Sequence, residues 1–103
     1  MHRVVADKRR ELVDLCHRFD VARLDVFGSA ARGVDFDATS DVDFLVDFGA
    51  ADGDLGRFLE FSDALAALLE RPIDLVDRTA IAASRNYIRR RNILDGAEAI
   101  YAR

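Results

Sequence analysis

Asp41 and Asp43 stand two residues apart in Ser40-Asp41-Val42-Asp43, at the start of an alternating stretch that runs to Phe48. Successive strand side chains point to opposite faces, so both carboxylates project together while Val42, Phe44 and Val46 point the other way. At about 4 Å the repulsion between two carboxylates is roughly 1 kcal/mol in water and about 4 kcal/mol at an intermediate effective dielectric, so the pair wants a cation. Ahead of it lies the turn Gly28-Ser29-Ala30-Ala31-Arg32-Gly33. A glycine directly after a strand lets backbone N–H groups approach an anion closely, and Ser29 adds a hydroxyl donor. Asp74 sits in the short apolar run Ile73 to Val76, where a buried carboxylate is costly unless it is paired or bound to a metal. If its strand neighbours that of Asp41, three carboxylates converge, as a magnesium site with oxygen ligands and retained water requires. Taken singly, the turn reads as a plain tight turn and Asp74 as a solvent-facing residue of an edge strand. Joined, the three features are a specific signal.

Two other homes for these residues fail. The turn has the Gly-x-x-x-x-Gly spacing of a phosphate-binding loop, but Val34 and Asp35 stand where a P-loop needs Lys and Ser or Thr. Asp35, Asp37, Thr39, Asp41 and Asp43 occupy the odd positions of a calcium loop, yet its turn glycine would be Ser40 and its closing glutamate Val46.

The elements that must position these residues follow from periodicity. Leu12, Leu15, Cys16 and Phe19 fall at helical spacing and predict an amphipathic helix from Asp7 to Phe19, ended by Asp20. Leu24 to Phe27 predicts a strand broken by Gly28, and Asp41 to Phe48 a half-buried one after a turn-prone stretch from Phe36 to Ser40. Gly49 to Gly53 reads as a loop, with Asp52 or Asp54 able to cap a helix whose stripe runs from Leu55 through Leu69 until Pro72 stops it. Ile73 to Val76 predicts a third strand. Thr79 can cap a last helix through about Leu94, closed by Gly96, and the tail Ala97 to Ala102 is a fourth strand or a frayed helical turn.

Composition bounds the rest. At 103 residues the chain is read as a single domain, residues 1–103, with a modest core and little room for a separate substrate domain. A net charge of −4 argues against nucleic acid as a direct partner, because binding to phosphates needs a basic surface. The lone Cys16 excludes a disulfide framework, and with His2 and His17 it has no zinc-ligand spacing; it reads as a small buried apolar residue. No apolar run approaches the roughly 20 residues that span a bilayer, and no signal-like segment opens the chain, so it is read as cytoplasmic. Arg85, Arg89, Arg90 and Arg91 give the last helix a basic surface, read chiefly as solvated cations near a helix C-terminus. Tyr87 and Tyr101 read as core or rim aromatics.

Phe27-Gly28-Ser29, Arg32-Gly33, Ser40-Asp41-Val42-Asp43-Phe44-Leu45-Val46 and Ile73-Asp74-Leu75-Val76 together resemble the minimal nucleotidyltransferases of the polymerase-beta superfamily, and among them the MntA-type antitoxins paired with HEPN-domain toxins. The resemblance covers nearly the whole chain and departs at Ala30, where many members carry a larger or basic residue. It implies an α/β (α+β) nucleotidyltransferase fold with a short mixed sheet flanked by helices. By the same resemblance Gly28 and Ser29 contact nucleotide phosphates, with Arg32 a candidate counter-charge. Asp41 and Asp43 hold magnesium, and Asp74 helps hold a second ion and activates the attacking hydroxyl. The physics agrees: two ions roughly 3.5 to 4 Å apart stabilise the entering and leaving oxygens of an in-line displacement at the α-phosphate.

The expectation is an enzyme that moves AMP from ATP to a hydroxyl, a tyrosine by resemblance, on a HEPN-type toxin ribonuclease with which it forms a hetero-oligomer. Two rivals stand beside it. One is a silent binding module that neutralises its partner by occlusion, against which the intact acidic triad counts. The other is nucleotidyl transfer to a small molecule such as an aminoglycoside, which the short chain disfavours.

Overall fold

The computed structural model describes residues 2–33, 40–49 and 55–103. In chain order the elements are α1 (Arg3–Ala6), α2 (Arg9–Arg18), β1 (Arg23–Phe27), α3 (Gly28–Arg32), β2 (Val42–Asp47), α4 (Leu55–Leu69), β3 (Ile73–Asp77), α5 (Arg78–Ala82), α6 (Tyr87–Asp95) and β4 (Glu98–Ala102). The strands form one mixed sheet in the order β3-β2-β1-β4. β1 runs antiparallel to both β2 and β4, and β2 and β3 are parallel, joined through α4 as a parallel pair must be by a crossover. This is the expected mixed sheet flanked by helices.

Alternation along the strands sorts the side chains into two layers. Leu24 and Val26 of β1, Val42, Phe44 and Val46 of β2, and Ile100 of β4 enter the larger core. α2 adds Leu12, Leu15 and Cys16, three positions on one helical face, and α4 adds Phe61, Leu65 and Leu69 at four-residue spacing. Each fully buried side chain of this size contributes about 1.5–3 kcal/mol of transfer free energy. The Phe61 ring meets Phe19 and Phe48 edge-on at 5.3 and 5.9 Å. The other face carries a smaller cluster, Phe27, Leu45, Ile81 and Ile93, covered by α5 and α6. The candidate site lies at one end of this second face.

The helical predictions need three corrections. The first helix is divided: α2 starts at Arg9 instead of Asp7, and α1 precedes it, capped by His2, whose Nδ1 accepts from Val4 N–H at 3.1 Å. The expected helix from Thr79 to Leu94 is also two helices. Asp77, not Thr79, caps the first, its carboxylate accepting from the Thr79 and Ala80 amides. Ser84 and Asn86 then divert the backbone: Ser84 Oγ accepts from Asn86 N–H at 3.2 Å, and the Asn86 side chain accepts from Arg89 N–H to start α6. Gly96 does close α6, in a right-handed conformation. The tail is a strand, β4, and residues 36–39 and 50–54, with the Asp52 or Asp54 cap, lie outside the described residues. Tyr101 is half-buried with its ring edge-on to His17, whereas Tyr87 is largely exposed. Among the described residues no helix is long and apolar enough to cross a membrane.

Candidate active site

The sheet register assembles the acidic residues. Asp43 of β2 lies opposite Phe27 of β1 on one side and Asp74 of β3 on the other, so the three strands present Phe27, Asp43 and Asp74 as one row. Asp41 directly precedes β2. Two bonds hold that approach: Val42 N–H donates to Pro72 carbonyl at 3.1 Å, and Arg71 Nη1 donates to Ser40 carbonyl at 3.3 Å. The residues that stop α4 and begin β3 thereby also fix the start of β2. Asp41 and Asp74 are exposed and Asp43 is half-buried. Burial first, then the neighbouring Asp74 and Asp41 charges, raise the Asp43 carboxyl above the usual carboxylate range, with Arg32 opposing them. The three carboxylates are thus near enough to act on one another. None of them has an ion-pair partner among the described residues.

The turn Gly28 to Arg32 is a short helix, α3, following directly on β1. Gly28 has φ +68°, a left-handed conformation that favours glycine, and a Cβ there would collide with Asp43 Oδ2. The missing side chain is therefore what lets the backbone of the turn lie against the carboxylate. Ser29 is half-buried beside it, and Arg32 is exposed, close enough for its charge to act on Asp43. Gly33, at φ +74°, ends α3. All six sequence-predicted residues fall in this region, with Arg32 at its edge.

Two features escaped the sequence reading. Asp25, in the middle of β1, is fully buried. Its Oδ1 accepts from Arg23 Nε at 2.9 Å and its Oδ2 from Arg78 Nη2 at 2.5 Å. Arg78 opens α5 directly after β3, so this pair ties the far end of the Asp74 strand to β1. The second is an open cleft of about 580 Å³ with Phe27, Asp43 and Asp74 on the sheet side and Asn86, Arg89 and Asn92 of α6 opposite. Arg89, which its spacing groups with the solvated arginines of the last helix, lines this cleft. Arg90 and Arg91 do behave locally, bonding Ser84 carbonyl and Asp95.

The donor set suits a hard divalent cation: three carboxylates, oxygen ligands alone, with a mutual repulsion that a positive ion would relieve. Among the described residues no three acidic, His or Cys side chains are already drawn together as ligands. The agreement therefore lies in donor chemistry and charge. With the backbone of Gly28 lying against Asp43 and two further carboxylates near it, the arrangement is suited to holding a cation, and with it chemistry on a phosphate ester that the cation carries.

No curated protein matches the chain. Several solved structures share its fold. A protein provisionally assigned as a minimal nucleotidyltransferase is 29% identical with a TM-score of 0.74, and the match covers 95% of each chain. A toxin–antitoxin complex with AMP-PNP is 20% identical, TM-score 0.70, over 92% of this chain and 73% of that one. A tri-AMPylated Shewanella oneidensis HEPN toxin in complex with its MNT antitoxin is 17% identical, TM-score 0.66, over 95% of this chain and 72% of that one. In sequence, residues 9–99 match the family model of the nucleotidyltransferase domain, and the chain belongs to that family.

Proposed function

We propose that this chain, acting as one minimal nucleotidyltransferase domain in the cytoplasm, transfers AMP from ATP to a hydroxyl of a HEPN-type toxin and so neutralises it as an antitoxin. The observation that carries the reading is Asp43 packed against the bare backbone of Gly28, with Asp41 and Asp74 adding uncompensated negative charge. The likeness to toxin–antitoxin complexes, one with an ATP analogue and one with an AMPylated toxin, supports the donor and the partner.

In this mechanism Asp41 and Asp43 would hold magnesium, and Asp74 would help to hold a second ion. Bound magnesium supplies charge stabilisation for the α-phosphate and the departing pyrophosphate. Gly28 and Ser29 orient the triphosphate, and Arg32 adds counter-charge at the rim. Asp74 faces the acceptor and takes its proton; the acceptor oxygen forms a bond to the α-phosphorus, and the bond from that phosphorus to the bridging oxygen of the β-phosphate breaks. Pyrophosphate leaves with the electron pair. The tyrosine acceptor follows from the family resemblance.

The test is to incubate the protein with α-labelled ATP, magnesium and the HEPN-type product of an adjacent gene. Label on the toxin together with loss of its ribonuclease activity is expected. A toxin silenced without label would overturn the catalytic reading in favour of occlusion.

A further inference from the structure

Charge is unevenly placed along this chain. Residues 78–94 hold five of its fifteen basic residues and no acidic one, in a protein whose net charge is −4. Arg78 is held by Asp25, and Arg90 bonds Ser84 carbonyl. Arg85, Arg89 and Arg91 stand exposed around the N-terminal half of α6, Arg91 pairing with the exposed Asp95. Among them lie Tyr87 and Ile88, 57% and 71% exposed, two of the four large hydrophobic side chains that the described residues leave in water. Neither belongs to a core cluster, since α6 packs on the sheet through Ile93 and Leu94. The Arg90 guanidinium lies 5.4 Å from the centroid of the Tyr87 ring, which orders the ring before a partner arrives.

We infer that this face of α6 docks the acceptor protein through an acidic surface with an apolar centre, an inference that rests on the functional reading above. Tyrosine and isoleucine ringed by arginine, on a helix without Lys or Glu, have the composition of an interface core more than of a solvated face. Charge selects the partner. Exposed guanidiniums favour carboxylates, which they engage in bidentate pairs. An RNA backbone would meet the same arginines, but on a net-negative protein with Asp43 and Asp74 across the adjoining cleft. Ile88, the more exposed of the two apolar residues, also offers no plane on which a base could stack. Position makes the partner the acceptor. Ile88 and Arg89 form part of the cleft wall opposite those two carboxylates, so a protein seated on this face lies where an acceptor hydroxyl must arrive.

The experiment measures, by calorimetry, binding of the HEPN-type product of an adjacent gene to wild-type, to Arg85→Glu/Arg91→Glu and to Tyr87→Ala. These three positions lie outside the cleft wall. Each variant is expected to weaken the partner at least tenfold and to bind ATP with magnesium as wild-type does, and wild-type affinity for the partner is expected to fall as salt rises. Unchanged partner affinity in both variants overturns the inference, and so does a parallel loss of ATP binding, since the substitutions would then have disturbed the whole site. A single-stranded RNA oligonucleotide is offered separately. RNA bound by wild-type and lost in variants that keep the protein partner overturns the inference and assigns the face to RNA. The functional reading is tested apart from it by following label from ATP. A wild-type that binds its partner without labelling it, while the variants fail to bind, leaves the docking face standing and ends the transfer reading. Wild-type and variants that bind and label alike do the reverse, and a wild-type that binds no partner ends both.

Discussion

Asp25 and Asp43 project from the same face of adjacent strands and have opposite electrostatic fates. Asp25 is the more deeply buried, yet two arginines satisfy it, one from its own strand and one from the start of α5. Asp43 keeps part of its surface in water, and its nearest charged neighbours include two further carboxylates. Losing water costs a carboxylate several kcal/mol, and a charged hydrogen-bonded partner returns much of it. Burial alone therefore does not mark a functional acid. The mark is a carboxylate that the fold has placed among like charges without an ion-pair partner, because that deficit is what a cation can fill.

The comparison can be broken by exchanging the roles. Asp43→Asn should reduce AMP transfer at least about 10³-fold, about 4 kcal/mol of transition-state stabilisation, while the protein stays folded. Steady-state label transfer beside a circular dichroism spectrum checks both halves. Asp25→Ala should do the reverse and cost about 3 kcal/mol of stability by leaving Arg78 without its carboxylate. A urea melt measures this, and a loss below about 1 kcal/mol with transfer abolished would move Asp25 into the chemistry. Gly28→Ala should cost about 1–2 kcal/mol from its left-handed backbone and also weaken ATP binding, since the new Cβ displaces Asp43.

Smaller effects sharpen the contrast. The Asp43 carboxyl is raised in the folded state, so its contribution is favourable while it is protonated and is lost as pH rises through the folded value. Asn mimics the protonated form. Asp43→Asn should therefore melt about 1–3 °C above wild-type at pH 7, the effect of well under 1 kcal/mol at a partly exposed site, and the gap should close as pH falls below about 4. Cys16 represents burial with neither partner nor repulsion: burial pushes its thiol up to about 12, leaving it neutral. It should stay unmodified by a thiol reagent in the native protein and react on unfolding, which a mass shift records.

The strand alternation at Val42 to Asp47 made Asp41 and Asp43 legible, because a period of two fixes the face of each side chain before any partner strand is known. Asp74 is not the buried carboxylate that its apolar neighbours suggest, since it is exposed on the edge strand β3; what the sequence anticipated is its neighbourhood, the strand of Asp74 lying next to that of Asp43. A carboxylate among apolar neighbours is also present at Leu24-Asp25-Val26 and passed unread, since what explains it is Arg78, 53 residues along the chain and brought near only by the sheet. The α6 cleft was hidden for a related reason. The arginines from Arg85 to Arg91 read as one basic surface until Ser84 and Asn86 break the helix and turn Arg89 toward the carboxylates. Local spacing carries the pairings that lie within one element. Those that depend on two distant elements meeting do not appear in it.

The contact between Gly28 and Asp43 also determines how this site can vary in descent. Every other amino acid carries a Cβ, so no missense change at codon 28 is conservative, and the smallest replacement meets the same carboxylate oxygen as the largest. Drift along the helical faces can be absorbed by small adjustments in packing. At this codon it has no neighbouring sequence to move to, and a lineage that loses the glycine must also give up the position of Asp43.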